Sequence, residues 1–151
     1  MELILWRHAE AVERREGLPE LERALTRRGE KQAARVGAWL AARLPDDARI
    51  FSSPALRCQQ TVLGLGRRFD VRAELGPDLD PAGMLEAADW PRAAHPVLLV
   101  GHQPALGRLA ARLLALQGGE CPIDKGAVWW LRSQDAGGPA ALRAVLGAEL
   151  V

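Results

Sequence analysis

The stretch Pro96-Val97-Leu98-Leu99-Val100-Gly101-His102-Gln103-Pro104 decides the fold. Its apolar run is too short for a helix and lacks the alternation of a half-exposed strand, so it predicts a strand buried on both faces of a parallel sheet. Leu106, Leu109, Leu113 and Leu116 follow at helical intervals, giving the order strand, polar turn, helix. That order occurs twice more upstream. Leu3-Ile4-Leu5-Trp6 ends in Arg7-His8, and Ala33, Val36, Leu40 and Leu44 then mark an amphipathic helix over 26–44, with Thr26 able to cap its start and Pro45 to stop it. Arg49-Ile50-Phe51-Ser52 is a second short strand. Ser53-Pro54 after it supplies an N-cap and a proline at the first helical position, predicting a helix over 54–68. Fainter signals place an edge strand at 71–75, a helical turn or two at 84–90, and closing strands at 127–131 and 142–146 joined through Gly137-Gly138-Pro139. The alternation predicts an α/β chain of three layers, α/β/α, around a mostly parallel sheet.

A length of 151 residues suits a single domain, 1–151. Lysine plus arginine number 20 against 19 acidic residues, with 48% hydrophobic and 26% charged, a globular balance without the basic excess expected of a nucleic-acid binder. The longest uncharged stretch, 93–107, contains His95, Pro96, His102 and Pro104 and is too polar to span a bilayer. Met1-Glu2-Leu3-Ile4 has no basic leader, so the expectation is a cytoplasmic protein with no membrane or nucleic-acid partner. Cys58 and Cys121 show neither metal-ligand spacing nor a disulfide framework and are expected to be reduced.

Ligands of such sheets bind beyond the carboxyl ends of the strands. Arg7 and His8 end the first predicted strand, Arg57 lies in the first helical turn after the second, and His102 ends the central one. A strand-end histidine satisfied by its neighbours is the plain alternative for His8 alone; the convergence of all four is what carries the functional reading. Two guanidiniums offer bidentate donors to an anion with several oxygens, and the helix N-termini after Ser53 and His102 add N–H groups. These point to phosphate. A neutral imidazole can attack phosphorus while a second, protonated one hydrogen-bonds the transferring oxygens, giving a phosphohistidine intermediate. Metal is the competing use of paired histidines, but only two converge and the arginines would repel a divalent cation, so no metal or other cofactor is expected. Neither lysine, Lys31 or Lys125, belongs to a phosphate-binding Gly-rich loop, and there is no nucleophile elbow.

Arg7-His8-Ala9-Glu10, Ser52-Ser53-Pro54-Ala55-Leu56-Arg57-Cys58-Gln59-Gln60-Thr61 and Val100-Gly101-His102-Gln103-Pro104, in that order, resemble the histidine phosphatase superfamily with its phosphoglycerate-mutase-like fold. The short length and Arg23-Ala24-Leu25-Thr26-Arg27-Arg28-Gly29 are most similar to the SixA-type phosphohistidine phosphatases. The resemblance implies His8 as nucleophile, Arg7 and Arg57 as phosphate ligands, His102 as the second pocket histidine and Arg23 as a further contact. Two features depart from the wider pattern. Ala9 stands where many members have glycine, and no insertion carrying the mutases' acid is present.

The missing acid bears on substrate, because an alcohol leaving group needs a proton in the transition state and a phosphorylated imidazole, protonated on its other nitrogen, needs little help. Asp78, Asp80 and Glu10 are the candidate acids, with Glu13 beside them; an ordinary solvated carboxylate is the alternative for each. The leading expectation is hydrolysis of protein phosphohistidine. A small-molecule phosphomonoesterase of the same fold and a catalytically idle phosphoprotein-binding module are the competing functions. The pairs Arg14-Arg15, Arg27-Arg28 and Arg67-Arg68 read as solvated faces in a chain with two lysines and many arginines. Trp39, Trp129 and Trp130 read as packing, Trp6 as support beneath the pocket, Cys58 as core and His95 as a loop residue. The loop 11–22 is expected to border the pocket.

Overall fold

The computed structural model describes residues 1–134 and 138–151. Six strands, β1 (Glu2–Arg7), β2 (Arg49–Ser52), β3 (Asp70–Val71), β4 (Val97–Gly101), β5 (Val128–Ser133) and β6 (Ala140–Leu146), form one sheet in the order β3-β2-β4-β1-β5-β6. The first four of that order run parallel, whereas β5 is antiparallel to β1 and β6 to β5. This is the expected α/β/α arrangement, and it has the phosphoglycerate-mutase-like topology. Four helices cover the sheet: α1 (Arg27–Ala41), α2 (Leu56–Leu63), α3 (Pro81–Ala87) and α4 (Ala105–Leu113).

The continuous apolar strands arise because both faces are buried. Leu3, Leu5, Phe51, Val97 and Leu99 pack with Met84 of α3 and with Leu106 and Leu109 of α4. Their neighbours Ile4, Trp6, Ile50, Leu98 and Val100 point the other way, against Val36 and Leu40 of α1 and Cys58 and Val62 of α2. The period-two alternation of side chains across a strand thus splits each run between two cores. Thr26 caps α1 as read from the sequence, its hydroxyl accepting from Gly29 N–H at 3.0 Å. Gly29 has a second duty, since a Cβ there would lie 1.9 Å from the Glu10 carbonyl oxygen. Its hydrogen side chain lets the segment after His8 lie directly on α1.

Several expected boundaries move. α2 begins at Leu56 rather than 54: the Ser53 hydroxyl accepts from Ala55 N–H at 3.2 Å and also meets His102, while Ala55 itself stays extended and takes the cap position. It also stops at Leu63 instead of 68, running out through tight turns over Gly64 and Leu65 into Gly66, whose left-handed backbone, φ 69°, ends it. The expected edge strand at 71–75 divides into β3 and a 3-10 turn over Ala73–Leu75. The helical segment near 84–90 lies earlier, at Pro81–Ala87, where Asp80 caps it through Ala82 N–H. The closing strands pair antiparallel as a hairpin, and of its expected turn Gly137 lies outside the described residues. Among the described residues no helix is long and apolar enough to cross a membrane.

Candidate active site

Parallel pairing of β1 with β4 aligns Arg7 with Gly101, so His8 and His102 leave the sheet side by side, and His8 N–H donates to the Gly101 carbonyl at 3.1 Å. Their ring centroids are 5.3 Å apart. Arg7, His8, Arg57 and His102 line one cavity of about 170 Å³, joined by Arg23, Glu20, Arg14, Asp78, Gln103 and Lys125. The loop 11–22 does border it, through Ala11, Arg14 and Glu20.

His8 is buried, and its Nδ1 donates to the Ala9 carbonyl at 2.8 Å, which places the ring proton on Nδ1 and leaves the Nε2 lone pair free. Burial, followed by the charges of Arg57, Arg7 and Arg23, pushes its pKa down to about 4. The ring is neutral at pH 7, as a nucleophile must be. Ala9, the departure from glycine, is not among the positive-φ residues, so its backbone has no need of one. Its N–H donates to the Thr61 hydroxyl at 3.0 Å, and that hydroxyl donates to the Arg57 carbonyl at 2.7 Å. Thr61 thereby ties the loop after His8 to the helix that carries Arg57.

His102 differs from its expected form. Arg57 Nη2 donates to its Nδ1 at 3.2 Å, so the proton sits on Nε2 and points to the Ser53 hydroxyl at 2.8 Å. Burial and the nearby charges of Arg57, His8, Arg7 and Arg23 push its pKa down to about 3. In the free protein it is therefore neutral, not the protonated donor read from the sequence, and both nitrogens orient protein groups. The helix ends also do less than expected. In the first turn of α4, Leu106 N–H is taken by the His102 carbonyl and Gly107 N–H by Gln103 Oε1.

The guanidiniums supply the donors instead. Arg7 Nη1 is held by the Ile123 carbonyl at 2.7 Å and Arg57 Nη1 by the Glu20 carbonyl at 2.8 Å. Among the described residues the Nε–H groups of both, like that of Arg72 away from the cavity, are buried without a partner. Two guanidiniums lining one cavity suit an anion with several oxygens. Arg23 reaches the cavity wall, bridging Glu20 and the Val12 carbonyl.

The candidate acids separate. Asp78 lines the cavity from a left-handed backbone conformation, φ 61°. Asp80 does not, since its carboxylate caps α3. Glu10 is also turned away: it accepts from the Thr26 hydroxyl at 2.8 Å and pairs with Arg28 at 3.6 Å. Glu13 is exposed. Cys58 lies below His102, 3.5 Å from Nε2, and burial pushes its thiol up to about 12, so it packs rather than reacts.

The sequence profile of the histidine phosphatase superfamily (branch 1) matches residues 3–86. The chain belongs to this superfamily. An uncharacterized protein of Picosynechococcus is 34% identical over 146 residues, which is 88% of this chain and 86% of the relative. Among solved structures, a putative phosphohistidine phosphatase SixA from Nakamurella superposes with a TM-score of 0.80 at 26% identity, covering 97% of this chain and 95% of its own. The protein histidine phosphatase SixA complexed with tungstate gives 0.79 at 25%, covering 98% and 97%. The fold is that of SixA-type members, and the chain is a phosphatase.

Lys125, Glu20 and Arg14 were not among the residues read from the sequence. Lys125 arrives because β5 is antiparallel, which brings its entering loop to the same sheet edge as the ends of the parallel strands. Its place just before a closing strand was the available signal. Glu20 and Arg14 lie in the loop 11–22, which was expected at the pocket, but Arg14 was read as part of a solvated face and nothing in a loop without periodicity singled out either residue.

Proposed function

We propose that this phosphatase hydrolyses protein phosphohistidine in the cytoplasm through a covalent intermediate on His8. The observation that carries the reading is the size of the cavity, about 170 Å³, well below the roughly 300–1,000 Å³ that enclose whole small-molecule ligands. It admits a phosphoryl group and the ring bearing it, while the rest of a substrate stays outside, as a protein would.

The His8 Nε2 lone pair attacks phosphorus, the new N–P bond forms as the substrate's N–P bond breaks, and the electron pair returns to the departing imidazole. Water then adds its oxygen to phosphorus, the electron pair of the breaking bond returns to Nε2, and the water's proton leaves with phosphate or solvent. Arg7 and Arg57 offer guanidinium N–H groups to the transferring oxygens, and Arg23 adds charge at the wall. His102 orients Arg57 through Nδ1. A phosphoryl dianion opposes the charges that depress its pKa, so proton uptake by His102 becomes easier once substrate is bound.

Asp78 at the cavity favours a second reading, a small-molecule phosphomonoesterase with Asp78 as acid. Metal-stripped protein offered a phosphohistidine-bearing protein and, separately, an aryl phosphate decides between them. Preference for the former, abolished by His8→Ala and retained by Asp78→Asn, is the expected result. Greater ester turnover that collapses in Asp78→Asn would establish the second reading, and no turnover on either substrate would leave phosphoprotein binding as the function.

A further inference from the structure

The anion site of this phosphatase already holds one of the chain's own carboxylates. Glu20 Oε1 accepts from Nη2 of Arg23 at 2.9 Å and from Nη2 of Arg57 at 3.1 Å. Its Oε2 accepts from Nε of Arg23 at 3.1 Å and pairs with Nε of Arg14 at 3.0 Å. Two carboxylate oxygens thus engage three guanidiniums in the manner of two phosphoryl oxygens. The Arg23 hydrogen bond, with the charges of Arg23, Arg57 and Arg14, holds Glu20 below the ordinary carboxylate range.

Counting donors shows a conflict with substrate. Nη2 of Arg57 has two hydrogens, and the structure directs them to Glu20 Oε1 and to His102 Nδ1. It cannot also donate to a phosphoryl oxygen while Glu20 keeps its place. The carboxylate has a way out, because its side chain is 32% exposed and that of its partner Arg14 is 76% exposed. The turn itself is held separately, through Arg57 Nη1 on the Glu20 carbonyl. Rotation of one side chain frees the site without moving the backbone.

We propose that Glu20 is a specificity-determining residue, a built-in competitor that occupies the Arg14, Arg23 and Arg57 anion position until a phosphoryl group displaces it. The proposal rests on the phosphatase reading above and adds a filter to it. A dianion can replace a single carboxylate at three guanidiniums; an aspartate or glutamate side chain of a protein, with the same charge as Glu20 and no covalent tether, cannot. The return of Glu20 also expels product phosphate.

Calorimetric titration of inorganic phosphate and of acetate into wild type and Glu20→Gln tests this. A site open for only a fraction of the time binds with an affinity reduced by that fraction, so Glu20→Gln binds phosphate about tenfold more tightly or better, and acetate binding becomes measurable. The unliganded variant melts at a lower temperature, because Arg57 loses its counter-ion, and gains more from added phosphate than wild type does. Lower stability with tighter anion binding is a combination that a merely structural glutamate would not produce. Equal or weaker phosphate binding in the folded variant overturns the proposal, as does failure of both proteins to bind phosphate. Glu20→Asp retains the charge on a shorter stem and is expected between the two; should Glu20→Gln not fold, an unchanged phosphate Kd in Glu20→Asp overturns the proposal. The two readings fail separately: His8-dependent turnover with a Kd ratio of one removes only the competitor, and tighter binding without turnover removes only the phosphatase.

Discussion

The floor of the cavity and its wall are made of different material. His8, Arg57 and His102 are 6%, 2% and 3% exposed, and each is set at a strand end or a helix start beside a buried residue, Ala9, Cys58 and Gly101 respectively. The wall comes from loops: Arg14 and Glu20 lie in the segment between β1 and α1, and Asp78 in the turn before α3. Floor groups hold one geometry because moving them would disrupt the two cores, whereas wall groups exchange partners by rotating exposed side chains. On the function proposed above, chemistry belongs to the floor and discrimination to the wall.

The sharpest way to break that division is to remove the proposed nucleophile. His8→Ala is expected to lower kcat by on the order of 10⁴-fold or more on any phosphorylated substrate, since no wall residue can supply a covalent route. Detection of a phosphorylated His8 after a rapid acid quench of wild type would confirm the route; substantial turnover by the variant would sink it. Next in size is Arg57→Lys, which keeps the charge but loses the planar fork of donors and the bridge to His102. A drop of about 10²–10³ in kcat is expected, measured with the fold verified by circular dichroism. A rate near wild type would mean that charge alone suffices and that the guanidinium fork is idle.

This floor was largely legible in the sequence, and the wall was not, for a physical reason. Leu3–Trp6 and Val97–Val100 each have one way to be buried on both faces, so the polar residues that follow them must emerge at the sheet edge. Arg7, His8 and His102 were placed by that logic alone. Ser53 shows its limit: its hydroxyl does accept from Ala55 N–H, but it also meets a tertiary partner, the His102 ring, and α2 begins later. The protonation of His102 was misjudged for a related reason. Composition reveals that arginines are near, but not that burial and those arginines together drive the ring to neutrality. Glu20 was invisible because its position depends on how a nonperiodic loop closes over Arg57. Lys125 needed the antiparallel direction of β5, which only the completed sheet reveals.

Burial of the two floor histidines also makes stability depend on pH. Their folded values, about 4 for His8 and about 3 for His102, lie below the ordinary 6.5, so between these limits the unfolded chain binds protons that the folded chain refuses. Stability from this source is complete above pH 6.5 and is lost as pH falls towards 4, by roughly a few kcal/mol. Thermal melts in phosphate-free buffers across that range should show a steady fall. A flat profile would mean that the rings titrate normally and that the floor is wetter than its geometry implies. Titration of the histidine side-chain resonances would assign the effect, with His8 unprotonated down to about pH 4.

The smallest expected effect separates two aspartates that look alike in sequence. Asp78 and Asp80 flank Leu79, and both were candidates for the acid. Asp78 lines the cavity, while Asp80 accepts from Ala82 N–H at 2.6 Å and caps α3 behind it. Loss of an N-cap costs about 1 kcal/mol, so Asp80→Ala should lower thermal stability slightly and leave the turnover of both phosphohistidine and aryl phosphate at the wild-type value. An ester rate that fell with Asp80 and not with Asp78 would place the acid outside the cavity seen here. The turn before α3 would then have to rearrange when substrate binds, and the wall would reach further into the chemistry than its exposure suggests.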